Sequence, residues 1–152
     1  MVLSPAQAAP PAVDRPFEPE GDPLSPNRNL APISARLNSA GQLEVGGLAL
    51  SELAQRYGTP LYVLDEASLR ATCRAYRDAL ASSYPGPALA LYASKAHSSL
   101  ALTAVVASEG LGLDAVSAGE LLTALQGGMP PERIVLHGNN KSRESQFLAG
   151  FV

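Results

Sequence analysis

Residues 88–97 read Ala88-Leu89-Ala90-Leu91-Tyr92-Ala93-Ser94-Lys95-Ala96-His97, an apolar run that ends in an amine and an imidazole. The run has the length and composition of a buried strand. Lys95 is one of two lysines, with Lys141, among 11 basic residues, so the chain otherwise uses arginine for positive charge. A primary amine at the end of a buried strand is a costly choice for solubility and an apt one for bonding to a carbonyl cofactor. Leu89, Leu91, Ala93 and Lys95 alternate onto one face if the strand runs through residue 95. Small Ala93 would then leave room for a flat ring below the amine.

Outward from this strand the pattern is strand, helix, strand, helix. Upstream, residues 66–83 form an expected helix with Leu69, Cys73, Tyr76 and Leu80 on one face, closed by Tyr84-Pro85-Gly86-Pro87. Before it, Ser51 to Tyr57 with Gly58 reads as a short capped helix, and Pro60 to Leu64 as a strand. Downstream, 98–109 is a helix, 112–116 a strand, 117–127 a helix, 133–136 a strand and 142–149 a helix. Such alternation with short connections specifies parallel strands. No glycine-rich dinucleotide loop follows the first strand, which favours a β/α barrel of the TIM type over a doubly wound sheet.

Three barrel strands are recognisable from Ala88 onward, where a closed barrel has eight. Three strands leave open edges and an uncovered inner face. A portion of a longer protein is therefore expected, or one whose other strands come from elsewhere. Residues 33–50 hold short alternations, such as Gln42-Leu43-Glu44-Val45, suited to one or two edge strands. The expected divisions are a leader over 1–32, a short strand segment over 33–50 and the barrel portion over 51–152. Eight of the 13 prolines fall in the leader, so it is expected to be mostly disordered.

Composition narrows the function classes. The chain has 152 residues, 46% hydrophobic and 16% charged, with net charge -3. That charge gives no strong attraction to nucleic acid or an anionic membrane, and no apolar stretch is long enough to span a bilayer. Met1 to Pro11 lacks the basic and apolar regions of a secretory signal, and Asp14, Glu18 and Glu20 come early for a transit peptide. A cytoplasmic protein is expected, with a plastid as the alternative. Cys73 is the only cysteine, so there is no disulfide framework.

In β/α barrels the chemistry sits at the C-terminal ends of the strands. Those ends carry Lys95 and His97 on the first strand, Asp114 and Ser117 on the second, and His137 through Lys141 on the third. Asp114 shares a face with Gly112 and Val116, which makes an inward aspartate near an inward lysine. His137 reads equally as a structural or a functional histidine, and His97 as a helix-start residue. The histidines are 40 positions apart with no paired carboxylates or cysteines beside them, so no metal site is expected. Ser117 and Ser142 are explained as helix N-caps, Lys141 as a solvated loop residue and Cys73 as core.

Tyr92-Ala93-Ser94-Lys95-Ala96 resembles the cofactor-lysine motif, commonly Y-A-x-K-A, of the pyridoxal-phosphate decarboxylases with an alanine-racemase-like barrel. Gly112 to Leu121 resembles that family's second strand and following helix, and Pro130 to Ser142 its third. Pro60 to Asp65 fits the segment leading into the barrel. The interval of 19 residues between Lys95 and Asp114 fits as well. Ser94 and His97 depart from the commoner valine and asparagine. The His137-Gly138-Asn139-Asn140-Lys141 form is similar to the diaminopimelate branch rather than the ornithine one.

The resemblance covers about residues 44–150 and implies pyridoxal phosphate held by Lys95 as an imine, with Ala93, Asp114 and His137 also at the cofactor. It implies an amino-acid substrate, a homodimer, and decarboxylation of meso-diaminopimelate to L-lysine and CO2. The family's ring-stacking histidine, phosphate loop, pyridine-nitrogen glutamate, substrate arginine and β-rich domain would lie beyond residue 152. Its partner-subunit cysteine is not matched by Cys73. Residues 1–152 alone are therefore expected not to decarboxylate. The alternatives are a non-catalytic cofactor- or partner-binding barrel, and a decarboxylase for ornithine, arginine or carboxynorspermidine.

Overall fold

The computed structural model describes residues 30–139 together with Lys141, Arg143, Gln146 and Gly150. Most of the leader, and most of the helix expected over 142–149 with its Ser142 cap, lie outside the described residues. The chain divides into two units, Met1–Asp65 and Glu66–Val152.

In the first unit, strands β1 (Arg36–Leu37), β2 (Leu43–Val45) and β3 (Leu48–Ala49) form an antiparallel sheet in the order β1-β2-β3. Asn38 closes the first hairpin, its side-chain oxygen accepting from the backbone N–H groups of Ala40 and Gln42 at 3.0 and 2.9 Å. Gly46 and Gly47 make the second turn with φ of 61° and 81°, a conformation that suits a tight hairpin and needs glycine. Helix α1 (Leu50–Tyr57) packs on this sheet and stops at Gly58, whose N–H donates to the Ala54 carbonyl. Ala35, Val45 and Ala49 are its buried residues.

The strand expected over Pro60–Leu64 is not formed. Leu61, Tyr62, Val63 and Leu64 are exposed, and Tyr62 is 97% so. Sequence propensity favours a strand there, but no described strand lies beside it to take up its backbone donors and acceptors.

The second unit alternates helix and strand. Helix α2 (Glu66–Ser83) is followed by β4 (Leu91–Ala93), one 3-10 turn (Ser94–Ala96), α3 (Leu100–Ser108), β5 (Gly112–Ala115), α4 (Ala118–Gln126) and β6 (Ile134–Leu136). Ser99 and Ser117 cap α3 and α4, each hydroxyl accepting an N–H three residues on. The three strands are parallel in the order β4-β5-β6. The register sets Leu91 beside Gly112, Ala93 beside Asp114, and Asp114 beside Val135.

The core lies on the helix side of this sheet. Cys73, Leu102, Val106, Leu111, Leu113, Ala115, Ala124 and Met129 form it, with Leu69, Ala90, Tyr92, Ile134 and Leu136 packed against it. By alternation, Leu89, Leu91, Ala93, Gly112, Asp114 and Val135 fall on the opposite face. Two expectations about faces are corrected. Tyr76 is 66% exposed, because α2 buries Cys73, packs a half-buried Leu69 beside it and leaves position 76 outside the core. Lys95 does not continue the strand, because β4 ends at Ala93 and the chain turns into the 3-10 turn there.

Helices α2 and α3 are also tied electrostatically. Glu109 is buried and accepts from Arg70 and Arg74, both at 2.8 Å to the nearer oxygen. Those guanidinium groups, Arg74 first, hold its carboxyl well below the ordinary range, at about 2.

Candidate active site

The C-terminal ends of β4, β5 and β6 lie side by side because the strands are parallel and in register. Lys95 is exposed in the middle of the turn that leaves β4. Ala93, two residues before it, is half-buried and sits beside Asp114. Asp114 is half-buried on β5, its Oδ2 lying 3.5 Å from Nδ1 of His137. At that distance the two are neighbours rather than a tight hydrogen-bonded pair. His137 extends β6 by one bond, its N–H donating to the Ala115 carbonyl at 2.8 Å, and its imidazole is exposed.

The structure thus brings together Ala93, Asp114 and His137 and puts Lys95 on the turn that follows Ala93. The other candidates separate out. His97 is exposed in extended backbone, and its carbonyl accepts from the Tyr92 hydroxyl at 3.2 Å. Lys141 is exposed. Cys73 is a core residue whose thiol is pushed up by burial. Ser117 is the N-cap of α4.

Two residues that sequence reasoning passed over hold the site's frame. Ser94 is 1% exposed, and its Oγ lies 2.6 Å from Glu120 Oε2 and 2.8 Å from the Asp114 carbonyl, so one proton is shared between two acceptors. The same Glu120 oxygen accepts the Val116 N–H at 2.6 Å. The Ser117-x-x-Glu120 spacing was the available signal, since it is that of a capping box. Here the carboxylate reaches the backbone one residue earlier and takes up a buried hydroxyl as well.

Residues 66–149, more than half of the chain, match the family model "Pyridoxal-dependent decarboxylase, pyridoxal binding domain". The chain belongs to that family. Among pyridoxal-dependent decarboxylases it is 45% identical to the diaminopimelate decarboxylase of Synechocystis sp. over 126 residues, which is 78% of this chain and 27% of the relative. It is 48% identical to that of Bacillus subtilis over 116 residues, covering 76% of this chain and 26% of the relative. The chain spans about a quarter of the length of the relatives it matches. The crystal structure of diaminopimelate decarboxylase from M. jannaschii superposes with a TM-score of 0.66 at 31% identity, covering 76% of this chain and 27% of that one. The same enzyme in co-complex with L-lysine gives 0.67 at 30% identity, over 78% and 28%. The three parallel strands and their helices are thus part of the β/α barrel of this decarboxylase family.

Pyridoxal phosphate is the cofactor that family membership brings. The residues present fit its aldehyde end: a solvent-accessible primary amine on a short turn, a small residue before it, and a carboxylate–imidazole pair on the next two strands. No described side chain competes for that position with a metal-binding cluster of three or more His, Cys, Asp or Glu.

Proposed function

We propose that this chain supplies the lysine-bearing part of a pyridoxal-phosphate-dependent decarboxylase that converts meso-diaminopimelate to L-lysine and CO2. The observation that carries the proposal is Lys95, exposed on the turn that leaves β4 within the matched pyridoxal-binding domain. Relatives named diaminopimelate decarboxylase, at 41% to 48% identity, support the substrate. The L-lysine complex of the M. jannaschii enzyme supports the product. A cytoplasmic homodimer is part of the same reading, as is a barrel portion over residues 51–152.

Lys95 Nζ is assigned as the amine that bonds to the cofactor's aldehyde carbon, which makes it the catalytic residue. Ala93 offers a low wall beside it, so a flat ring meets a methyl group and not a bulky side chain. Asp114 and His137, neighbours at 3.5 Å on the next two strands, would line the cofactor's site. Leu89 and Leu91 lie below on the same face and are themselves exposed. When bound, pyridoxal phosphate supplies an electron sink for the pair left behind by the departing carboxylate.

The test compares the two lysines. Pyridoxal phosphate is added to the chain, borohydride traps the adduct, and peptide mass spectrometry locates it. Lys95→Ala is expected to abolish the near-visible absorbance and leave label only at the exposed Lys141, and Lys141→Ala to keep the absorbance and the label at Lys95. The reverse outcome would reject Lys95 as the cofactor amine.

A further inference from the structure

Lys95 sits on a turn with little hydrogen bonding of its own. A single 3-10 turn offers poor backbone geometry and few internal bonds, so a side chain held on it is only as well placed as the turn's external ties. Two such ties bracket the lysine. On the C-terminal side the Tyr92 hydroxyl donates to the His97 carbonyl at 3.2 Å. On the N-terminal side the buried Ser94 hydroxyl reaches Glu120 at 2.6 Å and the Asp114 carbonyl at 2.8 Å.

The second tie is the stronger. It involves a carboxylate, it is short, and its hydroxyl end is buried. It also joins three things at once. Ser94 adjoins Lys95, the Asp114 carbonyl belongs to the residue that faces His137, and Glu120 starts α4 while gripping the Val116 N–H. A hydroxyl buried at this position would be costly without partners, so its presence is accounted for by the bonds it makes.

We infer that Ser94 and Glu120 form a positioning latch for Lys95, fixing the lysine's turn against the exit of β5 and the first turn of α4. Ser94 and Glu120 are positioning residues and touch no reacting atom. The inference rests on Lys95 being the cofactor amine, and its consequence is that the reactivity of Lys95 depends on a hydroxyl at position 94.

The experiment uses Ser94→Val and Ser94→Thr, which share a shape and differ in the hydroxyl, together with Glu120→Gln and Lys95→Ala. The first readout needs no cofactor: hydrogen exchange of the backbone amides of residues 95–97 in the chain alone. Ser94→Val is expected to speed that exchange about tenfold, the effect of losing a charge-assisted hydrogen bond, and Ser94→Thr to restore it. The second readout is the partition of pyridoxal phosphate between Lys95 and Lys141. The amine adds to the aldehyde carbon with loss of one water, and borohydride supplies the hydride, water the proton, that makes the bond permanent. Ser94→Val is expected to lower labelling of Lys95 severalfold, leave Lys141 unchanged, and be rescued by threonine; Glu120→Gln lies between. Wild-type exchange and partition in Ser94→Val, with circular dichroism unchanged, would overturn the latch. Where Ser94→Val does not fold, wild-type exchange and partition in Glu120→Gln overturn it equally. Near-visible absorbance persisting in Lys95→Ala would instead reject the cofactor-lysine reading, while the exchange result judges the latch by itself.

Discussion

Gly112 opens the central strand β5, where its two neighbours leave no room for a side chain. A methyl built there would overlap the backbone carbonyl oxygen of Arg133 and approach Leu91 Cδ2 to 2.6 Å and Leu89 Cδ2 to 3.0 Å. Ordinary carbon–carbon contacts lie at about 3.5–4.0 Å. The leucine ends are partly exposed and can swing away, but the carbonyl belongs to the chain entering β6 and moves only if the strand does. Gly112→Ala is therefore expected to cost about 1–3 kcal/mol, the range for overpacking a filled site. For a unit of this size each kcal/mol lowers the melting temperature by about 4–8 °C, so a drop of at least about 4 °C is expected in a circular dichroism melt. Gly119→Ala is the control. It lies in the first turn of α4, where a methyl meets only Ser117 Oγ at 4.0 Å, and the change is expected to stabilise by up to about 1 kcal/mol. The double variant Gly112→Ala/Leu91→Ala clears the nearer leucine and leaves Leu89 and the carbonyl. A melt of Gly112→Ala at or above the wild type would refute the reasoning, and full recovery in the double variant would remove the carbonyl from it.

Glu109 gives a pH prediction. Its carboxyl is lowered from 4.5 to about 2 by Arg74 and Arg70, so its contribution to stability is complete above the ordinary carboxylate value and is lost as pH falls through about 2. Melting temperature followed from pH 7 to acid is expected to fall steeply in the wild type, and Glu109→Gln to start lower and fall less. Cys73 is buried with its thiol pushed up, so an aromatic disulfide reagent is expected to react slowly with the native chain and at once after unfolding in urea. Residues 1–152 are expected to release no CO2 from meso-diaminopimelate above a buffer blank. The sheet face that would line the site is open to water, with Leu89 and Val135 44% and 46% exposed, and measurable release would reject this expectation.

What was legible in the sequence is what local chemistry decides. Helix α2 begins at Glu66 and ends at Ser83 where the apolar spacing and Tyr84-Pro85-Gly86-Pro87 place its ends. Ser117 caps α4 because a serine ahead of an apolar run can satisfy a free N–H. What was not legible depends on partners distant in sequence. Alternation points to Lys95 as the neighbour of Asp114, and the ion-pair neighbour found among the described residues is His137 instead. The apolar segment Leu61–Leu64 has strand propensity but no ladder among the described residues, and stays irregular. The strand expected over 88–94 is formed over Leu91–Ala93 alone, and Ser94 turns inward to reach a carboxylate 26 positions on. A side-chain bond of that span leaves no periodic trace.

The register explains why the polar groups gather at one end. Leu91 pairs in level with Gly112, then Ala93 with Asp114 and Val135, and His137 follows β6. Reading toward the C-terminal end, the face away from the helices passes from leucine and glycine, through alanine, to aspartate and histidine. Glycine at the lower level lets β4, β5 and β6 close on one another with leucine filling the space. Alanine and aspartate at the upper level leave a shallow, polar rim. Because all three strands run the same way, each adds its last residues to that rim, and an antiparallel neighbour would have placed its own at the opposite end. Lys95 leaves β4 on the turn after Ala93, and the bond between Ser94 and Glu120 ties that turn to α4. The chemistry assigned to the amine therefore depends on a bond made by its neighbour.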